Sequence, residues 1–316
     1  MNEFPIYFRP GNVAVITGAS SGIGLAMTKR CAITFSMNVF CVDIDEAELT
    51  QSISAVQKEI TGDNKVMAIS ADVSDYEAMV QVRDTVLKNG FNTVHFLFNN
   101  AGTGRGGGAL SDIHMFQKVV QVNSFGVINC CNLLIPLMKE KGEDGLIVTT
   151  GSKQGITMPP GNLAYNASKS MVKTYAEGLE HELMKDRKEK GGKLRSVLLV
   201  PGWVNTSILF KAMRDNCAVH DKPFDADSVF FHESKPASGA WMPSHIIDFL
   251  LSELQSNDDK FYVICPDNEV DRETDNIRMM WAMQDITEDR VPLSRWHPEY
   301  SAKFTEFLEN EKKKNK

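Results

Sequence analysis

The sequence predicts an α/β fold, a doubly wound sheet of seven mainly parallel strands with helices on both faces, as a single domain followed by a C-terminal extension. Three observations predict it. Short β-branched runs alternate with longer segments of helical periodicity from residue 12 onward, the pattern of repeated βαβ units. Gly90, Gly142 and the Gly191-Gly192 pair sit where helices should stop. No internal repeat or low-complexity linker interrupts the chain before about Pro266.

Taken in order, the expected strands are Val13–Thr17, Asn38–Asp43, Lys65–Ser70, Val94–Asn99, Gly145–Thr149, Arg195–Pro201 and Phe261–Cys265. Helical periodicity fills the intervals at Gly22–Thr34, Glu46–Ile60, Tyr76–Asn89, Ile113–Lys141, Ala164–Lys188 and Ser244–Ser256. Residues 1–266 therefore form one predicted domain. Residues 267–316 are polar, rich in Met, Trp and Arg, and lack a further βαβ unit. They are expected to pack on the core or at a subunit interface, with Pro292–Pro298 as a candidate contact to a neighbouring subunit.

At 316 residues, 42% hydrophobic and 24% charged, the chain can bury a full core. Its formal charge of -7 provides no basic footprint, which argues against nucleic acid or an anionic membrane as partner and leaves small molecules. Six cysteines without Cys-x-x-Cys spacing, most of them in apolar runs, suit a reducing compartment. Met1–Pro10 has no long apolar run, so neither leader nor anchor is expected and a cytoplasmic location follows. Lys312–Lys316 is expected to be a solvated, frayed tail. His181, His220 and His297 have no metal-ligand spacing, so no metal site is expected.

Tyr165 and Lys169 lie four residues apart on a predicted helix and so share a face. Bringing a phenol from near pH 10 towards neutrality takes about 4 kcal/mol of favourable interaction with its anion. A neighbouring ammonium favours that form, which makes Tyr165 a candidate general acid/base. Tyrosine and lysine at this spacing also occur on ordinary amphipathic helices.

Directly after the first strand comes Thr17-Gly18-Ala19-Ser20-Ser21-Gly22-Ile23-Gly24. Gly18 permits a tight turn, Gly22 lets backbone amides approach a pyrophosphate, and Gly24 lets the helix pack closely with its N-terminus facing the negative charge. This is a Rossmann-type dinucleotide cradle. Asp43 ends the second strand nineteen residues after Gly24, where a carboxylate can accept bonds from both adenosine ribose hydroxyls and repel a 2′-phosphate. No Lys or Arg lies between Gly18 and Gly24 or directly after Asp43, so NAD(H) is favoured over NADP(H). A plain strand-end turn built from Asp43, Asp45 and Glu46 is the alternative.

With these motifs in hand, residues 12 to 266 resemble the short-chain dehydrogenase/reductase family. Thr17 to Gly24 resembles its cofactor turn, which implies contacts from Gly18, Ser20, Ser21, Gly22 and Ile23, with Ile44 beside Asp43. Asp72-Val73 is similar to the adenine-contacting dipeptide and Asn99-Asn100-Ala101-Gly102 to the motif ending the fourth strand. Pro201-Gly202 with Val204 and Thr206 resembles the segment that contacts the nicotinamide carboxamide. Asn123, Ser152, Tyr165 and Lys169 resemble the catalytic tetrad, with Ser152 thirteen residues before Tyr165 as the family places it.

The resemblance implies that Ser152 donates to the substrate oxygen, that Lys169 lowers the Tyr165 pKa and holds the nicotinamide ribose, and that Asn123 holds a water linking Lys169 to solvent. It also implies a homodimer or homotetramer. The glycine-rich loop Thr103–Gly108 is either a lid over the site or a flexible surface connection. Gln154, Trp203, Phe210 and Met213 are candidate substrate contacts, with Phe224, Phe230, Phe231 and Trp241 in the same variable stretch. The expected activity is hydride transfer between NAD(H) and a secondary alcohol or ketone. Its rivals are an NADPH-preferring carbonyl reductase and a dinucleotide-binding sensor or scaffold without turnover.

Overall fold

The computed structural model describes residues 4–314 apart from 105–106, 209, 212–213, 215–216, 218–222, 224–236 and 258. Its strands are β1 (Val13–Thr17), β2 (Asn38–Asp43), β3 (Val66–Ser70), β4 (Phe96–Asn99), β5 (Gly145–Thr150), β6 (Leu194–Val200) and β7 (Tyr262–Ile264). They form one sheet in the order β3-β2-β1-β4-β5-β6-β7. Every neighbouring pair is parallel, with Ile16 opposite both Cys41 and Phe98 at the centre.

The helices are α1 (Gly22–Lys29), α2 (Glu46–Glu59), α3 (Tyr76–Lys88), α4 (Ile113–Val120), α5 (Gly126–Glu140), α6 (Gln154–Thr157), α7 (Leu163–Lys190), α8 (Pro243–Ser256), α9 (Arg272–Thr287) and α10 (Pro298–Lys314). Strands buried on both faces require two cores. One packs α1, α2 and α8 on one face through Met27, Ile53 and Ile246. The other packs α3, α5 and α7 on the opposite face through Val82, Leu134 and Val172.

β1 and β2 match their expected bounds, and the other strand and helix boundaries differ from the expected ones by at most two residues, the π turns aside. Two predicted helices are interrupted: Gly22–Thr34 ends in a π turn at Arg30–Thr34, and Ile113–Lys141 has one at Gln121–Phe125. Hydrophobic periodicity runs through such a turn with little change, so the sequence does not announce it. The combined stretch Ile113–Glu140 is long and apolar enough to cross a membrane, but half of its apolar window is buried inside the protein. It is a core element.

The last fifty residues hold α9, a short 3-10 turn at Ser294–Trp296 and α10, and α9 is joined to the core by the ion pair of Asp275 with the Lys153 side chain. Within Pro292–Pro298, Ser294 is fully buried, accepts from Trp281 Nε1 at 2.8 Å and donates to Asp285 at 2.6 Å. Arg295 lies over the rings of Trp296 and Phe304. These contact formers are engaged within their own chain, because the polar groups of one helix satisfy those of the adjoining turn. Phe224, Phe230, Phe231, His220 and Arg105-Gly106 lie outside the described residues.

Candidate active site

The site begins at the carboxyl ends of β1 and β4, where the strand order reverses and a crevice opens. A Cβ on Gly24 would lie 2.0 Å from the Gly18 carbonyl oxygen, so only glycine allows α1 to close on the turn. Gly18 itself has φ +66°. The Thr17 hydroxyl donates to Phe98 O at 3.3 Å and accepts from the amides of Asn100 and Ala101, both at 3.0 Å. One side chain thereby stitches the two central strand ends together.

A cavity of about 740 Å³ lies over this junction. Gly18, Ser21, Gly22 and Ile23 line it from the turn, Asp43 and Ile44 from the end of β2, and Asp72 and Val73 from the end of β3. Ala101 and Gly102 follow from β4, and Pro201, Gly202, Val204 and Thr206 from the segment after β6. Ser152, Tyr165 and Lys169 line the same cavity with Gln154 and Trp203.

At the β2 end, the Asp43 carboxylate accepts from Ser20 N at 3.0 Å and Asp45 N at 3.2 Å, one bond to each oxygen. Both oxygens retain acceptor capacity for further donors. The Ser20 hydroxyl donates to Glu48, which is paired with Lys211. The Ser21 and Ser207 hydroxyls are 3.0 Å apart. Asp75 caps α3 by accepting from the amides of Glu77 and Ala78.

The chemistry-bearing groups meet at the amino end of α7. Lys169, 4% exposed, donates to Thr150 O at 2.8 Å, and burial pulls its pKa down to about 8. Burial pushes the Tyr165 phenol up, while its hydrogen bond with Ser152 pulls the other way. The expected lowering of Tyr165 by Lys169 is therefore not what the structure gives. The ammonium lies 5.8 Å from the Tyr165 ring centroid and is directed to the Thr150 carbonyl, so desolvation outweighs its field.

Four named residues stand behind the cavity wall. Ser20 is buried against Asp43 and Glu48, and Asn99 donates to Cys131 Sγ at 3.3 Å. Asn123, within the π turn Gln121–Phe125, accepts from Thr103 N at 2.7 Å. It donates to Thr103 O and to Ser168 Oγ, both at 3.0 Å. Its side chain thus clamps the start of the glycine-rich loop to α7. Phe210 is half-buried beyond the lining, and Met213 lies outside the described residues.

The sequence reading missed Lys118, Lys153, Asn162, Lys211 and Arg214 in the lining. Lys211 and Arg214 follow Ser207 at helical spacing, which was a usable signal. Lys153 adjoins Ser152, but nothing local marks it as more than a surface cation.

Fold and cavity together define a nucleotide-binding α/β protein. Residues 12–216 match the family described as short chain dehydrogenase. The putative oxidoreductase SadH of Mycobacterium tuberculosis (strain CDC 1551 / Oshkosh) is 31% identical over 204 residues, 63% of this chain and 68% of that protein. Farnesol dehydrogenase of Aedes aegypti is 32% identical over 206 residues, 63% of this chain and 80% of that one. A crystal structure of a short chain dehydrogenase/reductase from Burkholderia phymatum in complex with NAD aligns with a TM-score of 0.75 at 28% identity. That alignment covers 90% of this chain and 96% of that one. The chain belongs to the short-chain dehydrogenase/reductase family and is an oxidoreductase of that family.

Proposed function

We propose that the protein transfers hydride between NAD(H) and a secondary alcohol or ketone, with Tyr165 as general acid/base. The observation that carries this is the convergence of Ser152, Tyr165 and Lys169 on the same cavity as the Gly18–Gly24 cradle and Asp43. The cradle fits a dinucleotide because its backbone is bare where a phosphate must approach, and Asp43 supplies the acceptor that ribose hydroxyls need. Bound NADH would supply the hydride.

In reduction the carbonyl oxygen gains negative charge and needs a donor at once. A phenol held protonated by burial gives up its proton to that oxygen, while the Ser152 hydroxyl donates a second hydrogen bond and fixes its position. The Lys169 ammonium beneath stabilises the tyrosinate that forms. In oxidation the same groups act in reverse. Gln154 and Trp203 are the candidate substrate contacts among the described residues, with Asn162 Nδ2 holding Gln154 Oε1 at 3.3 Å. Phe125, Leu163, Met171 and Met184 are partly exposed on the helical faces around α5 and α7, which supports a homodimer or homotetramer.

An NADPH reading draws on Lys211 and Arg214, cations lining the cavity with Asp43. Lys211 is, however, paired with Glu48. Rates with NADH and NADPH decide: an NADPH preference above tenfold overturns the Asp43 argument. The acid/base role is tested by Tyr165→Phe, expected to lose at least about a hundredfold in turnover while still binding NADH. Unchanged turnover defeats the mechanism.

A further inference from the structure

One cation ties together three chain segments around the site. Lys153 follows Ser152 directly and lines the cavity, and its own carbonyl accepts from Ile156 N and Thr157 N, both at 3.0 Å, opening α6. The Ser152 hydroxyl accepts from Gln154 N at 3.1 Å, so the turn carrying Ser152 is built onto the same short helix. From this fixed base the Lys153 side chain, 16% exposed, reaches Asp267 at 3.3 Å and Asp275 at 2.5 Å.

Neither carboxylate is a surface group. The side chain of Asp267 is 7% exposed and that of Asp275 is 4% exposed. Asp267, just beyond β7, accepts from Trp203 N at 3.0 Å through the oxygen that meets Lys153. Its other oxygen accepts from the amides of Glu269 and Val270. Burial alone would raise Asp267, but the Trp203 amide and the Lys153 ammonium hold it below its ordinary value. Asp275 lies in the first turn of α9, in the C-terminal segment.

The pair also touches the backbone after β6. A Cβ on Gly202 would lie 2.6 Å from Asp267 Oδ2 and 2.9 Å from Lys153 Nζ, so this ion pair rests directly on the Pro201–Trp203 turn. A buried charge keeps its place only when its partners surround it, and here they come from three separate strand exits.

We propose that Lys153 is a positioning residue: through it, Asp275 of the C-terminal segment and Asp267 hold the Ser152 turn and the 201–203 turn in the register that the nicotinamide end of the site requires. The proposal rests on the functional reading above, in which the 201–206 segment meets the nicotinamide. It gives the last fifty residues a role in the active site although none of their helices lines it.

The test uses the full chain and two nucleotides measured by calorimetry, NADH and ADP-ribose, which share every group except the nicotinamide ring. In Lys153→Met, NADH binding should weaken about tenfold while ADP-ribose stays within about twofold, because misplacement is confined to one end of the site. Lys153→Arg, which can serve both carboxylates, should return NADH binding to within about threefold of wild type. If Lys153→Met fails to unfold cooperatively, Asp275→Asn is the second variant; it leaves the Lys153–Asp267 pair in place and should weaken NADH alone by about threefold. Equal weakening of both nucleotides, or no change in either, overturns the proposal. A wild type that binds neither nucleotide overturns the functional reading, and this proposal with it.

Discussion

Two regions of the cavity each hold a lysine, Lys169 buried and Lys153 half-buried, and they hold it in opposite ways. Around Lys169 the acceptor among the described residues is a neutral carbonyl, Thr150 O, and desolvation has lowered the pKa to about 8. Around Lys153 two carboxylates from distant parts of the chain close on the ammonium. A buried charge without a counter-charge is costly and readily responds to a change nearby, whereas a surrounded one resists displacement. The first arrangement suits a group that must answer charge appearing on Tyr165. The second suits a fixed joint.

The largest expected effect separates function from stability at the first site. Lys169→Met should lose at least about a hundredfold in turnover, as removal of an electrostatic stabiliser does, yet at pH 7 unfold within about 1 kcal/mol of wild type or more stably, since it removes a buried charge that has no carboxylate partner among the described residues. A fall in stability well beyond that figure in denaturant titration would erase the contrast. Next, Asp275→Ala should destabilise by about 3 kcal/mol, near the lower end for a broken buried pair because Asp267 remains. A loss below about 1 kcal/mol would place Asp275 with the surface pairs.

A smaller effect sharpens the comparison through pH. The folded pKa of Lys169 lies below its ordinary value of 10.5, so between pH 8 and 10.5 the unfolded chain binds more protons and wild-type stability rises with pH. The stability advantage of Lys169→Met is greatest below pH 8 and should shrink across that window. A gap that stays constant from pH 7 to 10 contradicts the lowered pKa. The smallest change is expected at a third lysine, Lys173, which pairs with Glu177 one turn away on the half-exposed face of α7. Lys173→Ala should shift stability by no more than about 0.5 kcal/mol, and a larger shift would erase the contrast between this surface pair and the two cavity lysines.

The sequence made the Lys169 region legible and hid the Lys153 region. Tyr165 and Lys169 are four residues apart, and Gly18, Gly22 and Gly24 sit within one turn, so local spacing carries both signals. Lys153 and Asp267 are 114 residues apart, and no periodicity links them. Likewise the sequence pattern does not announce α9 and α10 as helices. α10 has a short apolar stripe, Tyr300, Phe304, Phe307 and Leu308, but none of its residues is fully buried: Phe304 and Phe307 pack on Trp281 of α9 rather than on the sheet, so the stripe marks no further βαβ unit. Asn123 was placed correctly on a helix, but the π turn that carries it leaves no trace in composition.

The Thr17 hydroxyl also sets how traffic can pass through the site. Spreading β1 from β4 would break all three of its hydrogen bonds along with the ladder of parallel pairs beside it. The floor of the cleft is therefore inelastic, and ligands enter and leave over its rim. Slow steps in a turnover cycle would then report on the loops above the sheet, while amide exchange at Asn100 and Ala101 would keep the pace of global unfolding.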